Sequence, residues 1–169
     1  MTVETFLQIK KILDDAKVEY THLIHEYVST SEDAAKIRGT NIEDAAKAII
    51  LKAEFKTENA DGTMNKSFNF LQAIIPAHQR IDLKKLKIIL GSKNVALASP
   101  DEVLERTGCT IGSVPPFGKL FNISMYMDES ILKKDLIVFS AGTHNDSVKM
   151  KVQDYYRILE PNVIEFKKG

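Results

Sequence analysis

The chain has 169 residues, 44% hydrophobic and 27% charged, a composition that suits one soluble domain with an ordinary core and excludes a disordered chain. Lys plus Arg and Asp plus Glu balance at 23 each, which argues against a protein that coats duplex nucleic acid through its phosphates. The lone Cys109 excludes an internal disulfide and a cysteine zinc site, and no run approaches the roughly 18 apolar residues of a membrane helix.

The N-terminus turns amphipathic at once, with no basic start and apolar stretch, so a cytoplasmic location is the expectation. Residues 2–17 predict a helix, with Val3, Phe6, Leu7, Ile12, Leu13 and Ala16 on one face and Lys10, Lys11, Asp14 and Asp15 on the other. Tyr20 to Tyr27 suits a strand. Ser29 to Glu32 offers a capping box for a second helix that Gly39 stops, and Thr40 with Glu43 starts a short third. Ala48 to Leu51 reads as a buried strand, 54–66 as a polar stretch with the turn pair Asp61-Gly62, and Phe68 to Ile75 as a strand ended by Pro76.

A helix over 82–90 has Asp82 as its cap and Gly91 as its stop; Val95 to Ala98 is a short strand. Ser99-Pro100-Asp101-Glu102 is a complete helix start, and Gly108 ends that helix. Gly108 to Gly118 carries too many glycines and prolines for a helix or central strand. Strands at 122–127 and 136–140, a polar turn over 142–146, a strand near Val148 and a helix over 151–159 before Pro161 complete the chain. Strands that follow one another without an intervening helix predict one α/β domain of the α+β kind with a largely antiparallel or mixed sheet.

Three segments could carry chemistry. Lys47 lies between alanines before an apolar strand, which fits a solvated lysine as well as a fixed cation that steadies a carbonyl oxygen or a phosphate. Gly112 to Gly118 fits a plain connector, or a loop where Gly112 admits close backbone approach and two prolines remove the entropy of ordering. It is not a P-loop, because Gly118-Lys119 is followed by Leu120 and the spaced glycine is missing. Ser140 to Ser147 fits a tight turn or a polar pocket rim. His22 and His25, three apart, would face opposite sides of a strand, and His78 and His144 lack companions at metal-ligand spacing, so no metal site is expected. Cys109 suits an inert buried residue, and no G-x-S-x-G elbow exists.

Taken in order, these pieces resemble the YbaK/ProX-like family, whose domain also occurs as the editing insertion of bacterial prolyl-tRNA synthetases. The carriers are the strand with His25, the Ser29–Ser31 helix start, Lys47-Ala48-Ile49-Ile50-Leu51, Pro76-Ala77 with Asp82 to Leu86, Ala98 to Val103, the Gly112 to Pro116 loop, and the strand ending Ser140-Ala141-Gly142. The resemblance spans about 3–160. It implies a single editing domain over 1–169, with a mixed, barrel-like curved sheet surrounded by helices. It also implies a freestanding deacylase of misacylated tRNA that uses no cofactor, with an aminoacyl-tRNA synthetase as a further candidate partner.

Lys47 and Gly112 are the implied catalytic positions. His25, Ser31, Ser113, Val114, Pro115, Pro116, Ser140, Gly142, His144 and Ser147 are the implied substrate contacts. Ser147 and Ala141-Gly142 depart from relatives with an acid or a His-Pro pair there, which leaves the edited amino acid open. A non-catalytic module of the same fold, binding tRNA ends or a synthetase, is the alternative.

Overall fold

The computed structural model describes residues 2–27 and 31–169. Helix α1 (Thr2–Asp15) buries Ile9 and Leu13 fully and packs Phe6 and Ile12 beside them. Its outer face carries Lys10–Asp14 and Lys11–Asp15 pairs one turn apart. Leu7, expected on the apolar face, is exposed instead. Strand β1 (Tyr20–Ile24) stops before His25, short of the expected Tyr27. Helix α2 (Ser31–Arg38) follows; the capping box expected at Ser29 lies outside the described residues. A 3-10 turn (Ile42–Asp44), capped by Asn41, leads into the main hairpin.

Strands β2 (Ala46–Glu58) and β3 (Met64–Pro76) each run 13 residues. They pair antiparallel from Ala46–Pro76 out to Glu58–Met64. The polar stretch at 54–66 is therefore mostly strand, and its composition reflects exposure: the arm beyond Phe55 leaves the body of the molecule. Only the tip turns, through Gly62 at φ +86°. Within the body β2 buries both faces. Ala48 and Ile50 pack with Val103, Cys109 and Val114, while Ile49, Leu51 and Ala53 pack with Ile75, Leu86 and Phe166.

Helix α3 (Leu83–Leu90) begins at Asp82, whose carboxylate accepts from the Lys85 amide, and ends at Gly91 in the left-handed conformation. Strand β4 (Asn94–Leu97) pairs with β2. Helix α4 (Pro100–Thr107) has the full Ser99–Glu102 capping box and ends at Gly108. Strands β5 (Ser124–Asp128), β6 (Leu136–Ser140) and β7 (Asp146–Lys151), helix α5 (Val152–Leu159) and a short β8 (Asn162–Ile164) complete the order.

The curved, mixed sheet divides in two and does not close into a barrel. One sheet has the order β1-β7-β6, and the other β4-β2-β3-β5-β8, in which β5 runs parallel to both neighbours. A single parallel bridge, Ala45 to Val138, joins them at the start of β2. The largest core cluster fills the space between the sheets, α1 and α5, and centres on Phe117, Phe139 and Tyr155, whose rings lie 5.6–6.1 Å apart.

Tyr155 is fully buried and its hydroxyl donates to the Pro116 carbonyl. Tyr155→Phe keeps the ring and orphans that acceptor, so it is expected to lower stability by about 1–3 kcal/mol in a denaturant melt. An unchanged melt would show that the carbonyl needs no partner.

Candidate active site

Seven segments converge on a cavity of about 370 Å³, one of them the residue that follows β3. The others are the start of β2, the residues after β1, α2, the loop after α4, the end of β6 and the turn before β7. Ala45, Ala46, Ala48 and Ala77 line it, and their small side chains leave the space that larger residues would fill. The Ala45–Val138 bridge and the Ala77 amide on the Ala45 carbonyl (2.8 Å) fix this corner.

Lys47 also lines the cavity, half-buried, with neither a hydrogen bond nor an ion pair among the described residues. Burial, and secondarily the charge of Arg80, hold its ammonium below the ordinary lysine pKa. An unpaired, partly desolvated cation is costly to keep, and its electrostatic effect on a nearby developing charge is correspondingly large.

The loop after α4 is held from behind. Gly112 has φ +89°, and a Cβ there would come within 3.2 Å of the His144 ring. Buried Ser113 gives its hydroxyl to the Thr110 carbonyl (2.8 Å) and its amide to the same group (3.0 Å), while its carbonyl receives the Gly142 amide (2.9 Å). Fully buried Gln72 donates to the Pro115 carbonyl (2.8 Å) and accepts from the Gly118 amide (2.9 Å). The amides of Gly112 and Val114, both cavity residues, have no partner among the described residues.

A chain of hydrogen bonds forms the opposite wall. Arg38 Nε donates to Ser147 Oγ (2.9 Å), and Nη2 reaches Ser140 Oγ at 3.4 Å. Ser147 Oγ also meets His25 Nε2 (2.7 Å), while His25 Nδ1 meets the Glu26 carbonyl (2.9 Å). A carbonyl only accepts, so Nδ1 carries the ring proton and Ser147 donates to Nε2. Burial lowers the Arg38 pKa, although an arginine stays charged. His144 bonds Thr110 Oγ1 (2.9 Å), and its pKa is pushed below the ordinary histidine value by burial, which leaves the ring neutral at pH 7. Tyr27 meets that ring edge-on at 4.6 Å.

Of the positions singled out by sequence, Lys47, Gly112, His25, Val114, Ser140 and His144 line the cavity. Ser113, Pro115, Pro116, Gly142 and Ser147 stand behind it as supports, and the Ser31 side chain lies outside the description. His22 turns away, stacked on Phe6 and bonded to Asp146. Cys109 is fully buried with a raised pKa, so it is no nucleophile. Arg38, Tyr27 and Gln72 were not marked by sequence. A basic residue in the last turn of a helix already has a sufficient local reason in the helix dipole.

A mixed α/β fold with a strand-start lysine and a glycine-hinged loop on one small cavity has the architecture of an editing hydrolase. The chain belongs to the aminoacyl-tRNA editing domain family, whose model matches residues 25–158. It is 32% identical over 165 residues to the multifunctional Ser/Thr-tRNA deacylase of Escherichia coli K12, covering 97% of this chain and 93% of that one. It is 26% identical to the prolyl-tRNA editing protein of Acetoanaerobium sticklandii, with 92% and 90% covered. The crystal structure of a candidate trans-editing enzyme for prolyl-tRNA synthetase superposes with a TM-score of 0.75 at 21% identity, over 98% of both chains. The activity is thus aminoacyl-tRNA editing, hydrolysis of the ester that joins an amino acid to tRNA.

Gly112→Ala forces an L side chain into a left-handed backbone and against His144. The expected result is a loss of about 1–3 kcal/mol of stability together with a fall in deacylation. A variant with wild-type melting and rate would show that the loop tolerates the change.

Proposed function

We propose that this chain works in trans in the cytoplasm, clearing misacylated tRNA, with Lys47 and the Gly112 loop as its catalytic groups. The observation that carries the reading is the unpaired Lys47 ammonium sharing one cavity with the unpaired Gly112 and Val114 amides. Water attacks the ester carbonyl, and negative charge collects on the carbonyl oxygen. Lys47 and the two amides are donors for that charge, needing no reorganisation as it develops. The bond to the ribose oxygen then breaks. The attacking water's proton passes to that leaving oxygen, with the neighbouring ribose hydroxyl as relay.

The chain covers nearly the full length of two relatives named as a deacylase and an editing protein, which supports action without an attached synthetase. A synthetase that releases the mischarged tRNA is a fitting partner. The alanine-lined cavity favours a small amino acid, and the name of the E. coli relative agrees with that size.

Lys47→Ala is expected to lower deacylation by about 10²–10³-fold, the effect of losing one preorganised donor, with little change in melting. Wild-type activity should also fall at alkaline pH sooner than an ordinary lysine would dictate, because burial lowers the Lys47 pKa and the neutral amine no longer stabilises the oxyanion. Rates are read after subtracting hydroxide-driven ester hydrolysis. Near-normal activity in Lys47→Ala would remove the lysine from the mechanism. No deacylation by wild type across a panel of misacylated tRNAs would favour a binding module instead.

Among the described residues no three His, Cys, Asp or Glu side chains come together, and the donors named above perform every step proposed. Deacylation should therefore survive prolonged chelation once tRNA has been folded with magnesium. Loss that one divalent ion restores at stoichiometric amounts would overturn this.

A further inference from the structure

Arg38 lines the same cavity as Lys47, and the reaction above gives it no role. A one-way chain of donors fixes its guanidinium. The proton on His25 Nδ1 goes to the Glu26 carbonyl, so Nε2 accepts from Ser147 Oγ, and that oxygen in turn accepts from Arg38 Nε (2.9 Å). Nη2 adds a long contact to Ser140 Oγ at 3.4 Å. Ser147 is fully inaccessible to solvent, so the side-on edge of the fork is anchored in the protein. Both anchors are neutral hydroxyls, and no carboxylate pairs with Arg38 among the described residues. The charge is left uncompensated there, and three of the five N–H groups, two on Nη1 and one on Nη2, are unspent.

The ligand that suits such a group is an anion offering two oxygens to one planar fork. At the reacting end of the substrate the amino acid's carboxyl is tied up in the ester, and the ribose and the base are neutral. The permanent negative charge nearest the ester is the phosphodiester on the 5′ side of the terminal nucleotide. Resting on the deacylase reading, we propose that Arg38 binds this phosphate, with its free Nη1–Nη2 edge on the two non-bridging oxygens. The two cations of the cavity then divide the work by their chemistry. The compact Lys47 ammonium, sharing the cavity with the unpaired Gly112 and Val114 amides, meets charge that collects on a single oxygen. The fork of Arg38 meets two oxygens at once. A phosphate also compensates the charge that two serines leave unpaired, which offsets the cost of keeping that cation desolvated. One phosphate met inside the cavity sets the distance from nucleotide to ester, and it is met only once the end of the chain has entered.

The test compares kcat/KM on one misacylated tRNA made in two forms, with an ordinary phosphodiester before the terminal nucleotide or a neutral methylphosphonate there. In wild type the neutral linkage is expected to lower kcat/KM roughly 10- to 100-fold, the range for a hydrogen bond to a charged group. Arg38→Met should lower the rate on the ordinary substrate by a similar factor and make the two forms equivalent. Arg38→Gln, which can still donate to a serine, serves the same comparison if the Met variant fails to fold. Lys47→Ala should slow both forms and keep the ratio between them. A neutral linkage that costs wild type nothing would overturn the inference, as would a full penalty that persists in the Arg38 variants. A penalty lost in Lys47→Ala and kept in the Arg38 variants would put the phosphate on the lysine and overturn it too. Each of these outcomes leaves the deacylase reading standing. Failure of wild type to deacylate any misacylated tRNA would take down both.

Discussion

A backbone loop that crosses a protein interior must have its carbonyls paired, and this requirement organises the site. Pro115 and Pro116 have no amide hydrogen and cannot join a sheet, yet both are buried. Their carbonyls are met by side chains sent from elsewhere: Gln72 from β3 and Tyr155 from α5. Leaving either acceptor bare would cost about 1–3 kcal/mol. Because both anchors are fully buried, the loop inherits their rigidity, and Gly112 and Val114 are held with their amides unpaired among the described residues.

Rigidity lets the cavity tolerate its charges. Lys47 and Arg38 line one small space, each with its pKa lowered by burial, and neither has an acidic partner among the described residues. In a loose site the two would swing into water or recruit a carboxylate. Strand β2 prevents this for Lys47 by fixing its backbone opposite Ile75, and the serines of β6 and β7 do so for Arg38. A desolvated cation without a partner is costly to keep, and a group that brings negative charge or a hydrogen-bond acceptor into the cavity would relieve that cost.

Much of this was legible in the sequence because its signals are local. The Ser99–Glu102 capping box, the Gly91 and Gly108 stops and the Asp82 cap are short-range chemistry, and each element sits within about a residue of expectation. What failed was inference from polarity. Residues 54–58 and 64–68 are polar because they form an arm in solvent, and composition does not distinguish such an arm from a loop. Strand β8, three residues long, exists by pairing with β5 and has no pattern of its own. In the site, Lys47 and Gly112 were marked by position and conformational need. Arg38 was not, because its partners stand 102 and 109 residues away and no spacing rule joins them.

The charge balance bears on how the substrate is held. With equal numbers of acidic and basic residues the chain has no net field to draw in a polyanion, so long-range attraction contributes little to tRNA capture. Affinity must then come from contacts at short range, and Lys47 and Arg38 line a cavity of about 370 Å³, the size of a terminal group rather than of a tRNA body. On the proposed site, such a protein would read the aminoacyl terminus rather than the tRNA body. That suits an editor, since a wrong amino acid is the one feature that separates its substrate from correctly charged tRNA. It also limits competition: a correctly charged tRNA presents the same phosphates, and an enzyme that gripped them tightly would be occupied by the commoner species. Keeping the charges inside the cavity makes binding depend on the same ester and side chain that the reaction removes.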